Sequence, residues 1–397
     1  MTATYRETII AEGLAQEKSV LGDIRQQSFS RFQTLGFPTQ KHEGWKYLNL
    51  EPILSTPFLS LPTSVTNTVK AETLPCGVTA TTMNEIRPYL LPSIARETSA
   101  FVAINTAHFN NGVFVTVAAG ATPDRPIDVT LTAPQGTTTP TVSYPRIVVV
   151  VKSGARAELS LTLEGNAEAT YFMNAVVDLF VEDNAKLNVV QLQRASGEAI
   201  HFVTVNIHQQ AGSAVTLTTA VQGGHVTRND YRVTFAGEGA SLHLNGTSLL
   251  SGKSRAYHHV HVDHVAPRCL SRQLQKNIVS GEAQCEWNSL VSIHRGAVGS
   301  DSDQLNRNIV LSRDARAITR PQLKVFNEDV KANHGATVGQ LDPRELFYLR
   351  SRGLKKAEAY EILLRGFAEE AVQGVTTLQL RASLDQFVDE ELARITL

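Results

Sequence analysis

Cysteine is scarce. Cys76, Cys269 and Cys285 are the only thiols in 397 residues, too few for a disulfide framework, and no two of them form a C-x-x-C pair. Thiols this sparse fit buried or idle groups in reducing surroundings. A surplus of charge of one sign is also missing: 37 basic against 38 acidic side chains leave a formal net charge of -1. Such a chain has no bulk field to draw nucleic acid or an anionic membrane, so partners must be recognised by local surface. No apolar run approaches the roughly 18 residues of a membrane span. The start, MTATYRETIIAEGLAQEK, lacks a basic segment leading into an apolar one, so no secretory signal is expected and a cytoplasmic location is. Aromatic residues make up only 7%. Together with the missing signal, that counts against a secreted carbohydrate-binding protein, whose groove would be lined with aromatics and carboxylates. What is present is an ordinary apolar share of 42%, in a chain long enough for two or three domains.

Residues 1–95 read as a helical and irregular N-terminal region. Apolar positions at helical spacing run through residues 4–34 (Ile9, Ile10, Leu14, Val20, Leu21, Ile24), and Gly36 and Pro38 stop the pattern. A Thr/Ser/Pro-rich connector follows from about Ser55 to Thr68, and a short helix begins near Met83. Residues 96–341 change character. Short β-rich runs succeed one another, among them GVFVTVAA, RIVVVVK, AELSLTLEG and SLHLNGTSLL, and no amphipathic helix is seen between them. Leu159, Leu161 and Leu163 show the alternation of a half-buried strand.

A weak repeat underlies these runs. A tight turn and a small residue precede a strand at Ala155, Ala185, Ser213, Ala240 and Ala315, with Ala283 a fainter case. The spacing is mostly about 30 residues, and once about 43. Stacked coils, each burying its inner face against its neighbours, produce such a pattern. The fold class expected is mainly β, a right-handed parallel β-helix flanked by N-terminal and C-terminal helical regions, with a β-sandwich as the rival. Residues 342–397 are helical again. Asp342, Pro343 and Glu345 form a capping-box start, Gly353 closes that helix, and two further amphipathic segments follow, the last with Leu380, Leu384, Phe387 and Val388 on one face.

Two motifs invite chemistry. His259-Val-His261-Val-Asp263-His264 matches the H-x-H-x-D-H signature of metallo-β-lactamase-like hydrolases, and zinc accepts imidazole readily. That signature belongs on a loop entering a helix, whereas here it lies in a β-rich stretch, so a hydrogen-bonded histidine-rich strand is expected. Gly246-Thr-Ser-Leu-Leu-Ser-Gly252-Lys253-Ser254 imitates a phosphate-binding loop but has five residues between the glycines in place of four, with a strand pattern after it. No nucleotide site is expected there.

The run FNEDVKANHGATVGQLDPRELFYLRSRGL, residues 326–354, closely resembles the hallmark of the SufB/SufD family. QLNRNIVLSRDARAITRPQLKV (304–325) is similar to the family's penultimate coils, and FPTQKHEGWKYLNLEPIL (37–54) to its N-terminal signature around Trp45, Lys46 and Tyr47. The resemblance implies a non-catalytic scaffold subunit of the SUF iron–sulfur cluster assembly machinery. It would pair with a SufB-like subunit and dock the SufC ATPase through residues 342–397. A cluster would be held transiently in the complex, with no cofactor tightly bound by the isolated chain, for which a homodimer is left open by the sequence. Gln304-Leu-Asn-Arg-Asn308 stands where SufB proteins carry Cys-Asp-Ser, which places the chain on the SufD-like side. The resemblance also assigns His334, in a His-Gly-Ala turn, as an iron or cluster ligand at the SufB interface. The alternative is a histidine that only hydrogen-bonds across the last coil. Many relatives have Cys-Ser directly before this histidine; here it is Ala332-Asn333, so no thiolate is expected from that place.

Overall fold

The computed structural model describes residues 3–14, 21–62, 64–67, 74–109, 112–134, 138–165, 170–195 and 197–395. The helical pattern of residues 4–34 forms two helices, α1 (Tyr5–Leu14) and α2 (Gly22–Leu35), the second ending at Gly36, whose φ of 63° is open to glycine. Val20 lies outside the described residues, as do Thr68 and part of the connector before it. Helices α3 (Glu51–Leu54) and α4 (Met83–Ile94) follow. Then α5 (Ala100–His108) interrupts a stretch expected to hold strands alone. It is buried on every side from Ala100 to Ala107, so it has no polar stripe and no helical period to read.

The remainder of the middle is a parallel β-solenoid of about 7 turns. Two sheets face each other, one 11-stranded and one 9-stranded, and the chain crosses from one to the other at each half coil. Among the described residues, apart from one isolated antiparallel bridge between Gly224 and Arg255, every pairing between strands is parallel except at the N-terminal end. There Ser64–Asn67 lies antiparallel on Ile127–Thr132, and Val78–Ala80 antiparallel on Gly112–Val117. The N-terminal region therefore contributes capping strands as well as helices.

The repeat read in the sequence belongs to two series. Ala155, Ala185, Ser213 and Ala240 open successive strands of the 9-stranded sheet, and Cys269 and Ser300 continue that series, all buried. Ala283 and Ala315 open strands of the other sheet, so the long step from Ala240 to Ala283 is a change of sheet. Before each member of the first series stands a residue in the left-handed region: Gly154, Asn184, Gly212, Gly239, Arg268 and Gly299. Their N–H groups bond to the turn of the next coil, as Gly212 does to the Glu238 carbonyl at 2.8 Å.

Alternation sends one face of each strand inward. Toward the N-terminal end that interior is apolar, with Val115, Ile127, Leu159, Leu161, Leu187 and Val203 in one cluster. Toward the C-terminal end it becomes polar. One level stacks Leu159, Val189, Leu217, Leu244, Gln273, Gln304 and His334 in successive coils. The next stacks Leu161, Gln191, Thr219, Gly246, Gln275, Asn306 and Ala336. Side-chain amides bond to one another there, Asn277 to Asn308 at 2.7 Å and Gln275 to Asn277 at 2.8 Å.

Both outer faces carry helices. Helices α1, α2, α4 and α5 cover the 11-stranded sheet, packing Ile9, Phe32 and Phe101 on Phe172, Phe202 and Tyr257. The strand Tyr171–Val181 is consequently buried on both sides and shows no alternation. A buried ion pair fastens α5 to it: Arg146 meets Asp178 at 2.6 Å and donates to Asn105 and Thr106 of the helix. On the other sheet lie α7 (Lys356–Glu369) and α8 (Leu378–Arg394). Leu380, Leu384 and Phe387 pack on Val190 and Leu192, and Leu364 and Val388 on Leu249 and Ile278.

Candidate functional site

The C-terminal end of the solenoid is built differently from its N-terminal end. The last strands of the two sheets, Arg316–Val325 and Lys331–Gly339, each pair on one side only, with Gln284–Ile293 and Asp301–Val310. Their free edges present unpaired N–H and C=O groups, a template for another strand. Pro321, in the middle of Arg316–Val325, fits an edge and would be out of place in a central strand. Val325, Phe326 and Val338 are exposed around this end.

His334 lies there. The segment His334-Gly-Ala-Thr-Val-Gly339 is part of the strand Lys331–Gly339 and not a turn. Gly335 serves close packing, since a Cβ on it would stand 3.2 Å from Leu305 Cδ1. Ala332 packs into the interior cluster, so alternation turns His334, two residues on, to the same inner side. With no coil beyond it, the imidazole is exposed at the mouth of the solenoid. Its partner in register one coil back is Gln304, fully buried. The Gln304 amide nitrogen donates to the Gln322 carbonyl at 3.2 Å, while its Oε1 is buried without a donor. Among the described residues no hydrogen bond reaches the His334 ring. A neutral imidazole open to an interface is a competent iron ligand. Cys269 and Cys285 are buried, and burial pushes both above the ordinary thiol range; Cys76, exposed, belongs to the N-terminal region, where its N–H donates to Asp124 at 3.1 Å.

The H-x-H-x-D-H run is divided by the strand that carries it, Arg255–His264. His258 and His264 point inward, each against a serine hydroxyl at 2.9 Å, Ser248 and Ser271. His259, His261 and Asp263 point outward. His264 is thus turned to the opposite side of the sheet from the other three, so the four side chains cannot close around one ion. Among the described residues no group of three His, Cys, Asp or Glu side chains could hold a metal. Burial first and Arg228 second push the His259 ring below the ordinary imidazole range, and it lies 3.6 Å from Glu286. It lines a groove of about 270 Å³ with Asp230, His261, Asn288 and Lys324, roofed by Glu43 and Gly44. Arg228 holds that roof by donating to the Gly44 carbonyl at 2.7 Å and lying 3.7 Å over the Trp45 ring. Trp45 packs on Phe101 and Phe202. The glycine-rich run beginning at Gly246 is the end of one strand, a turn and the start of the next, with no helix after it.

The third feature is α6 (Pro343–Ser351). Asp342 caps it by accepting from the Arg344 N–H at 2.8 Å; among the described residues the reciprocal contact from Glu345 is absent. None of its residues is buried, and Phe347 is 75% exposed and Tyr348 57%. Two aromatics on a helix with no cover of its own form an apolar patch suited to a partner.

Comparison with known proteins identifies the family. A family model described as SUF system FeS cluster assembly, SufBD core domain matches residues 132–367, and one described as SufBD protein N-terminal region matches residues 5–86. Over 417 residues the chain is 27% identical to an iron-sulfur cluster assembly SufBD family protein of Synechocystis sp., covering 94% of this chain and 91% of that one. It is 26% identical over 375 residues to the iron-sulfur cluster assembly protein SufD of Escherichia coli, covering 88% of each. A SufBD family protein of Mycobacterium tuberculosis is 28% identical over 400 residues, 97% of this chain and 96% of its own. With its core domain matched over more than half its length, the chain belongs to the SufBD family of SUF-system iron–sulfur cluster assembly proteins.

Proposed function

We propose that the chain is a SufD-type scaffold subunit, non-catalytic and cytoplasmic, that pairs with a SufB-like subunit and carries a SufC ATPase. The observation that supports this best is the asymmetry of the solenoid: closed by antiparallel strands at one end, open at the other, with His334 at the open mouth. A second solenoid would extend both sheets through the edges of Arg316–Val325 and Lys331–Gly339. His334 would then face the partner, where iron, as cargo, could take its imidazole and a thiolate from the SufB side. The cluster would be transient, assembled at the joint and passed on, with no cofactor held tightly by the isolated chain. In the absence of SufB, the same edge would pair with a second copy of the chain.

The C-terminal helices, residues 342–397, are the platform for SufC, with Phe347 and Tyr348 of α6 as its anchors. ATP hydrolysis would belong to that partner. Co-expression of the tagged chain with SufB-like and SufC-like proteins tests the reading: a stable three-protein complex is expected, and retention of neither partner would overturn it. For the site, His334→Ala is expected to leave the complex intact and to lower the cluster yield on reconstitution, measured by Mössbauer and ultraviolet–visible spectroscopy. An unchanged yield would return His334 to a structural role.

A further inference from the structure

Gln304 has a feature that the scaffold role leaves unused. Its side chain is fully buried, yet Oε1 has no donor, and an unpaired buried carbonyl of this kind is destabilising. The amide cannot simply turn over to find relief, because its nitrogen is tied to the Gln322 carbonyl at 3.2 Å. The acceptor therefore has a fixed place. One coil further on, in register and on the same inner side, stands His334, whose ring has no hydrogen bond among the described residues. Parallel neighbours are about 4.8 Å apart, within reach of two long side chains.

We infer that Gln304 is the positioning residue for His334: its Oε1 accepts the imidazole N–H and so fixes which ring nitrogen keeps its lone pair. An imidazole that donates from one nitrogen offers the other as the ligand, and an outer partner of this type sets both the tautomer and the ring's orientation. Gln304 thereby turns a mobile surface histidine into one whose free nitrogen faces the open mouth. The column leading to it explains why this acceptor exists. The earlier members of the same stack are Ile127, Leu159, Val189, Leu217 and Leu244, and glutamine enters only in the two coils before the mouth. An apolar side chain at 304 would fill the space equally well but could not orient a histidine.

This rests on the reading of His334 as a ligand, and its test can fail independently. The full-length chain is labelled with ¹⁵N-histidine, and the His334 ring signals are identified by their loss in His334→Ala. Above its titration range the wild-type ring is expected in a single tautomer. In Gln304→Met, which keeps volume and removes the acceptor, the ring is expected to relax to the mixture of an unrestrained imidazole. Identical tautomer populations in the two proteins would overturn the proposal. Should Gln304→Met fail to fold, Gln304→Leu, which repeats the leucine of earlier coils, is read in the same way: a mixture of tautomers supports the contact, and a single tautomer unchanged from wild type excludes it. A responsive ring together with a normal cluster yield in His334→Ala would retain the positioning contact and sink the ligand role instead.

Discussion

Single side chains in the interior carry most of the pH response expected of this protein. His201 and His258 are held down to about 3, and His264 to about 4, all primarily by burial. His201 bonds to the Tyr171 hydroxyl at 2.9 Å and to Gln193 at 3.2 Å, contacts suited to a neutral ring. Unfolded, each would titrate near 6.5. The unfolded chain thus binds more protons between that value and about 4, so stability is complete above pH 6.5 and falls as pH drops through this window. The slope is about 1.4 kcal/mol per pH unit for each ring. Glu391, raised by burial, opposes the trend, while His108, lowered by burial to about 4, adds to it. Urea unfolding should show a lower midpoint at pH 5 than at pH 7.5, and an equal or higher one would contradict this account. Gly246 makes a second case. A Cβ there would stand 2.2 Å from Gln275 Oε1 and 2.6 Å from Thr219 Oγ1. Its purpose is room for the polar column, not a phosphate. Gly246→Ala should cost about 1–3 kcal/mol by overpacking, read as a drop in the urea midpoint.

At the level of elements, the helices hold to the solenoid by different means. Helix α5 relies on a charged clamp in which Asp178 pairs with Arg146 and also accepts from Asn206 at 2.9 Å. Asp178→Ala would strand a buried guanidinium and is expected to cost about 3–5 kcal/mol. Helix α8 relies on apolar packing, with Phe387 fully buried and the Arg194 guanidinium 4.7 Å over its ring. Phe387→Ala should cost about 3–5 kcal/mol. Hydrogen exchange separates the two. Losing Phe387 should speed exchange in residues 356–394 alone, while losing Asp178 should loosen the N-terminal helices. Helix α6 contributes little to either core. Phe347→Ala should therefore leave the unfolding midpoint within about 0.5 kcal/mol of wild type, yet weaken SufC binding by more than about 1 kcal/mol, some fivefold in Kd by calorimetry.

For the molecule as a whole, the open end is the consequential feature. A parallel sheet cut off without a cap is prone to pair with whatever strand fits, and most proteins protect such an edge with a helix, a loop or charge. The N-terminal end has that protection in its two antiparallel strands; the C-terminal end carries Pro321, Lys324 and Lys331 on its last strands but also exposes Val325, Phe326 and Val338. Val338→Lys combined with Phe326→Lys should abolish self-association of the isolated chain in sedimentation velocity and weaken SufB pairing at least tenfold. The melting temperature of the monomer should stay the same. A monomeric wild-type chain that still pairs with SufB through another surface would refute the edge as the joint.

Much of this architecture is legible in the order of the amino acids alone, because local physics dictates it. Alternation at Leu159, Leu161 and Leu163, the turn residue before each small anchor and the Asp342-Pro343 helix start are written within a few residues of one another. So is the run around His334, along with the absence of a thiol before it. What the tertiary structure decided involves distances between residues far apart in the chain. Strand alternation parted His259 from His264, and burial on all sides hid α5 from any periodic reading. Two interleaved sheets made one repeat look irregular at Ala240 and Ala283. Pro321 is a local mark of an edge strand, but only stacking shows that its coil is the last and that no strand follows. The same holds for Gln304 beneath His334: thirty residues apart in sequence, they become neighbours because each coil of the solenoid consumes about that many.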